Sequence, residues 1–179
     1  MRLIFVALLV LGVLGVVLWR RLRRPPDPQA AAASALLRQK ILTREFIREA
    51  GPGQPNVPRC VLMDWNIGSA VATLVAFDDG STSLYLSTGG GFIGAGGHEQ
   101  VRAAASEFRA LAATMIQQFH PTDTFPLAPE KSIIFYIVTD STTLTSATLS
   151  TSAVDRSDHP FFKLQRVAQT VITEIRRAT

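Results

Sequence analysis

The sequence predicts an α+β domain, an antiparallel sheet of about five strands flanked by helices, preceded by one N-terminal transmembrane helix. Three observations lead there. Residues 3–19 form an unbroken run of 17 uncharged, almost entirely aliphatic residues. Short strand-like runs cluster around the tight-turn signal Asp79-Gly80. Apolar residues then recur every three or four positions from Val101 to Phe119, the period of an amphipathic helix.

Seventeen apolar residues lie at the short end of what spans a hydrocarbon core at about 1.5 Å rise per residue. Trp19 closes the run at the depth where an interfacial aromatic is favoured, and Arg20, Arg21, Arg23 and Arg24 follow at once. A cleaved signal peptide would have a shorter apolar core and small residues at a cleavage site. No such site precedes the arginines, so a retained anchor is expected over residues 1–24. The arginine excess after the helix places the following domain on the cytoplasmic side. Residues 25–29, rich in proline, read as a stiff linker, and residues 30–179 as one domain.

Net charge of +4 and pI about 9.8 first suggest an anionic partner. Five of the basic residues, however, belong to the first 24 positions, and the remainder carries 13 basic against 14 acidic residues. The domain is near neutral, and a nucleic-acid partner is not expected. The single cysteine, Cys60, excludes an internal disulfide framework and reads as a small buried hydrophobe.

Residues 30–50 read as an alanine-rich helix stopped by Gly51-Pro52-Gly53, with no well-defined packing face. Strands are expected over 60–65, 70–77 and 82–87, making a three-stranded meander. The central helix follows and is expected to end at His120-Pro121. Residues 132–138 form a nearly all-apolar strand suited to the middle of a sheet, with 143–149 as its hairpin partner. Ser157-Asp158 are placed to cap a last helix, with Pro160 in its first turn and Arg176 and Arg177 at its C-terminal dipole.

The stretch Ser87-Thr88-Gly89-Gly90-Gly91-Phe92-Ile93-Gly94-Ala95-Gly96-Gly97-His98 stands apart, with six glycines in nine residues between a strand and a helix start. Such a connection can present backbone N–H groups to an anion or phosphate. Ser87, Thr88, Gly89, Gly90, Gly91, Gly94, Gly96, Gly97 and His98 are therefore the candidate ligand-binding residues. The segment lacks the Gly-Lys-Ser/Thr ending of a P-loop, and its expected antiparallel setting is not the βαβ unit of a dinucleotide site. The alternative is a crossover that packs tightly beneath a helix. His98-Glu99 opens no H-E-x-x-H motif, because Arg102 stands where the second histidine belongs. His98, His120 and His159 are scattered at helix boundaries, and Asp64, Asp78, Asp123 and Asp140 are expected at strand ends or turns. No G-x-S-x-G elbow occurs, so neither a catalytic residue, a metal site nor a cofactor is expected.

The segments Asp79-Gly80-Ser81-Thr82-Ser83-Leu84-Tyr85, Ser87-Thr88-Gly89-Gly90-Gly91 and Gly94-Ala95-Gly96-Gly97-His98-Glu99 resemble a family of bacterial proteins of unknown function, as do Pro121-Thr122-Asp123 and His159-Pro160. This resemblance covers residues 60–177 and implies one bacterial domain without an assigned activity. The order of elements also resembles the profilin-like group of roadblock and longin domains, differing from roadblock domains by a third strand before the central helix. These readings lead to a membrane-anchored interaction or scaffold domain, held by residues 3–19, with a protein partner or self-association expected. The competing expectation is a small-ligand or nucleotide-binding sensor, or an enzyme, built on residues 87–98.

Overall fold

A computed structural model describes residues 27–49, 51, 53 and 57–178. The helices are α1 (Pro28–Leu42), α2 (Glu45–Glu49), α3 (Glu99–Thr114), α4 (Thr151–Val154) and α5 (Phe162–Ala178). The strands are β1 (Cys60–Asn66), β2 (Val71–Phe77), β3 (Thr82–Leu86), β4 (Gly91–Phe92), β5 (His120–Pro121), β6 (Ser132–Val138), β7 (Thr143–Thr145) and β8 (Leu149–Ser150). They form one antiparallel sheet in the order β4-β3-β2-β1-β6-β7-β5, with β8 also paired to β6.

The fold is α+β, but the expectation of about five strands is corrected to eight among the described residues. The additional strands β4, β5 and β8 contain two residues each. Two residues cannot display a period-two pattern, and Gly91 and Pro121 carry poor strand propensity. The expected transmembrane helix over residues 3–19 lies outside the described residues. Among the described residues, no helix is long and apolar enough to cross a membrane.

Strand alternation separates two cores. Val61 and Met63 of β1, with Ile133, Phe135 and Ile137 of β6, face α3 and α5. Cys60 and Leu62, with Ile134, Tyr136 and Val138, face the opposite layer, built from α1, α2 and the segment around Ala128. Every residue of β6 is buried, as a central strand covered on both faces requires.

Helix boundaries differ from the sequence reading in four places. Pro28 and Gln29, expected in the linker, form the first turn of α1, because the Asp27 carboxylate accepts from the N–H groups of Gln29 (3.0 Å) and Ala30 (3.3 Å). Arg44 adopts φ +66° and breaks the expected long helix into α1 and α2. Its Nη1 donates to the Ser141 carbonyl, which holds the break against the β6–β7 turn. Helix α3 ends at Thr114, and His120-Pro121 pairs with β7 instead of terminating the helix. Helix α5 starts at Phe162, beyond the expected cap at Ser157-Asp158.

Burial pushes the Cys60 thiol well above its ordinary value and raises the phenols of Tyr85 and Tyr136. Unfolding lets the thiol ionise near pH 9 while the folded protein keeps it protonated, so the unfolded state binds fewer protons above that pH. Stability is therefore complete below about pH 9 and falls as the pH rises further. Chemical-denaturation midpoints measured across that range should decline, and Cys60→Ala should start lower yet decline less.

Candidate functional site

Strand β3 divides the glycine-rich segment into two groups. Ser87, Thr88, Gly89 and Gly90 form the β3–β4 turn at one end of the sheet. The Ser87 N–H donates to the Val71 carbonyl (2.9 Å), and its Oγ accepts from the Val71 N–H (2.9 Å). The Gly89 N–H donates to the Leu86 carbonyl (2.9 Å), while the Gly90 carbonyl accepts from the Leu86 N–H (3.1 Å). Gly94, Gly96, Gly97 and His98 lie past the other end of β3, next to the turn at Gly80. Five residues of β3 at about 3.4 Å rise separate the two groups by roughly 14 Å. Gly91 sits with Phe92 in the edge strand between them. The nine candidates therefore do not surround one common point.

Close backbone packing accounts for three of the glycines. A Cβ on Gly89 would stand 2.8 Å from the Ala30 Cβ and 2.9 Å from the Ala31 nitrogen. One on Gly91 would overlap the Leu84 carbonyl oxygen, and one on Gly96 the Gly80 carbonyl oxygen. Gly96 also accepts from Arg102 Nη1 through its carbonyl (3.0 Å), so the helix α3 arginine fastens the segment to the Asp79-Gly80 turn. Phe92 packs against the α3–α5 core, while Ile93 is 75% exposed. His98 occupies the N-cap of α3 without a side-chain capping hydrogen bond.

Two charged clusters escaped the sequence reading, one buried and the other a buried arginine held by partly exposed carboxylates. Asp64, expected at a strand end or turn, is fully enclosed within β1 and faces α1. Its Oδ2 accepts from Arg38 Nη2 (2.5 Å) and Nε (2.9 Å), and its Oδ1 from the Thr73 hydroxyl (2.6 Å). Arg38 also donates to the carbonyls of Phe125 and Pro126 at 3.0 Å each, and Tyr136 donates to Pro126 (2.9 Å). This network fastens α1, β1, β2, β6 and the 125–126 segment at one place. The signal for it was a carboxylate inside an apolar strand, which requires a partner when buried.

The second cluster closes the opposite end of the sheet. Arg59 Nε lies 2.6 Å from Asp78, and Nη1 lies 2.7 Å from Asp140 and 2.9 Å from the Gly51 carbonyl. Asp140 in turn accepts from the Gly53 N–H (2.8 Å). Burial opposes the charge on Arg59, but Asp78 and Asp140 outweigh it and raise the guanidinium above its ordinary value.

Two open clefts mark the surface. One, of about 520 Å³, runs between α3 and α5, with half-buried Leu111, Phe162 and Val167 beside exposed Glu107, Lys163 and Arg166. The other, of about 610 Å³, lies between the α1–α2 junction and residues 121–123 and 142–143. Its Arg44 guanidinium and Thr143 hydroxyl already donate to backbone carbonyls. Among the described residues, no three His, Cys, Asp or Glu side chains are grouped as a metal site.

Comparison with protein-family models, with curated proteins and with solved structures gave no match.

Proposed function

We propose that the chain is a membrane-tethered interaction domain, held by residues 3–19 and displayed on the cytoplasmic side. The observation that carries the interaction reading is the packing of the glycine-rich segment. Gly89, Gly91 and Gly96 bring backbone against α1, β3 and the Gly80 turn, so their lack of a side chain serves the domain's own closure. This favours an interaction module over a sensor centred on residues 87–98. The partner surface is the outer face of the central helix, where Leu111 with Phe162 and Val167 leaves an apolar strip between charged neighbours. A protein partner or a second copy of the chain is the class of ligand that such a strip fits.

The tether reading is supported by the 17-residue apolar run, the interfacial Trp19 and the four arginines that follow. A reporter active only in the cytoplasm, fused after Thr179, should give its signal in the membrane fraction. An extracytoplasmic signal, or a soluble cleaved product, would overturn the tether and its orientation. A rise in denaturation midpoint on adding ATP or inorganic phosphate would instead move the function to ligand sensing.

A further inference from the structure

We infer that the end of the sheet carrying the β1–β2 turn and the β3–β4 turn rests against the lipid headgroups, an inference that depends on the tether reading above. The structure fixes where the chain leaves the domain. Helix α1 is capped by Asp27, so helical backbone begins at Pro28. Its first turn is seated on Gly89 through Ala30 and Ala31, and its middle is locked to the sheet by Arg38 and Asp64. The exit point is thereby held at the end of the sheet formed by residues 66–70 and 87–91.

Length then restricts orientation. Seven residues, 20–26, separate Trp19 from Asp27, and fully extended they reach about 25 Å. A domain of this size has a radius of gyration near 15 Å and a diameter of roughly 40 Å. A tether shorter than the domain keeps the exit end toward the bilayer and the opposite end away from it.

The chemistry of the two turns beside the exit point agrees with that orientation. Residues 66–70 (Asn-Ile-Gly-Ser-Ala) and 87–91 (Ser-Thr-Gly-Gly-Gly) contain no Asp, Glu, Lys or Arg. The opposite end carries Arg44, Arg59, Asp78, Asp79, Arg102 and Asp140. Charged groups lose hydration as they approach hydrocarbon, whereas the neutral turns lose little. Exposed Glu130 and Lys131 lead into β6, one strand spacing from β1. The charged loop at 155–158 follows β8, two spacings from β1 and four, or about 19 Å, from β3. Charge at this end therefore gathers on the β6 side and leaves the β2–β3–β4 side neutral.

The test uses the full chain in phosphatidylcholine–phosphatidylglycerol vesicles, with a thiol-reactive fluorophore at Ser69→Cys or at Ser81→Cys. Both serines are exposed, and they occupy turns at opposite ends of the sheet. Native Cys60 is fully buried with its thiol held protonated, so the label goes to the introduced cysteine. Flotation with the vesicles reports the tether, and quenching by headgroup spin-labelled lipid reports the orientation. The expected result is flotation of both variants, with the Ser69→Cys label quenched several-fold more than the Ser81→Cys label. Flotation with equal or reversed quenching overturns the orientation and leaves the tether standing. A Ser69→Cys label that responds to protein concentration in detergent, and not to lipid, overturns it in favour of self-association. Failure to float overturns the tether reading and the orientation together.

Discussion

Asp64→Ala is expected to destabilise the protein by about 3–5 kcal/mol, which for a domain of this size lowers the thermal midpoint by roughly 10 °C or more. The reason is what remains behind. Arg38 keeps its charge at 7% exposure and loses both hydrogen bonds to the carboxylate, and the Thr73 hydroxyl loses its acceptor at 2.6 Å. Two carbonyls, of Phe125 and Pro126, still hold the guanidinium in place, so it cannot swing out to water without abandoning them. Asp64→Asn keeps the shape and one acceptor, and should lie between the wild type and alanine. Pairing Asp64→Leu with Arg38→Met removes both charges together, and should recover part of the loss, since Tyr136 still donates to the Pro126 carbonyl and only that of Phe125 loses the arginine. Denaturation of the full chain in detergent micelles measures all four proteins together with the single variants Asp64→Leu and Arg38→Met. Additive losses in the double variant would show that the two residues act independently and that the clamp does not exist. The consequence reaches beyond stability, because the same clamp fixes α1 against β1.

The contrast between Asp64 and its neighbours explains how far the sequence could be read. Strands of five to seven residues, such as Val71–Phe77 and Ser132–Val138, carry enough consecutive side chains for alternation or continuous burial to be visible. Gly91–Phe92 and His120–Pro121 exist only because a neighbouring strand offers hydrogen bonds, a tertiary cause with no local pattern. The face of α1 was illegible for another reason. Its buried stripe includes Ser34 and Arg38 ahead of Ile41 and Leu42, so a search for apolar spacing finds no face. Arg38 is buried because Asp64 needs it, and their separation of 26 residues hides the pairing. The glycine-rich segment was legible as unusual but not as divided. Six closely spaced glycines invite a single cradle, whereas β3 pairing carries their two groups to opposite ends of the sheet.

Phe135→Ala is the other substitution expected to cost about 3–5 kcal/mol, through lost burial and the cavity left behind. Phe135 is fully buried at the centre of β6 and stacks on Phe161 with ring centroids 5.9 Å apart and planes 14° apart. Phe108 of α3 meets it on a tilted plane at 6.3 Å, and Phe119 meets Phe161 edge-on at 5.5 Å. These four rings connect the sheet to α3 and to the residue that leads into α5, beneath the cleft of Leu111, Phe162 and Val167. Removing the middle ring leaves a void that the other three cannot fill without moving α5 relative to α3. Phe135→Leu fills most of that volume and should cost less than half as much, so the pair separates ring packing from simple truncation. The two clamps also predict different regional effects in hydrogen exchange. Loss of Phe135 should loosen the amides of α3 and α5 before those of α1, while loss of Asp64 should do the reverse. A uniform loss of protection in both variants would mean that the two faces of the sheet unfold as one unit. The proposed partner surface on α3 and the start of α1 could then not be altered independently.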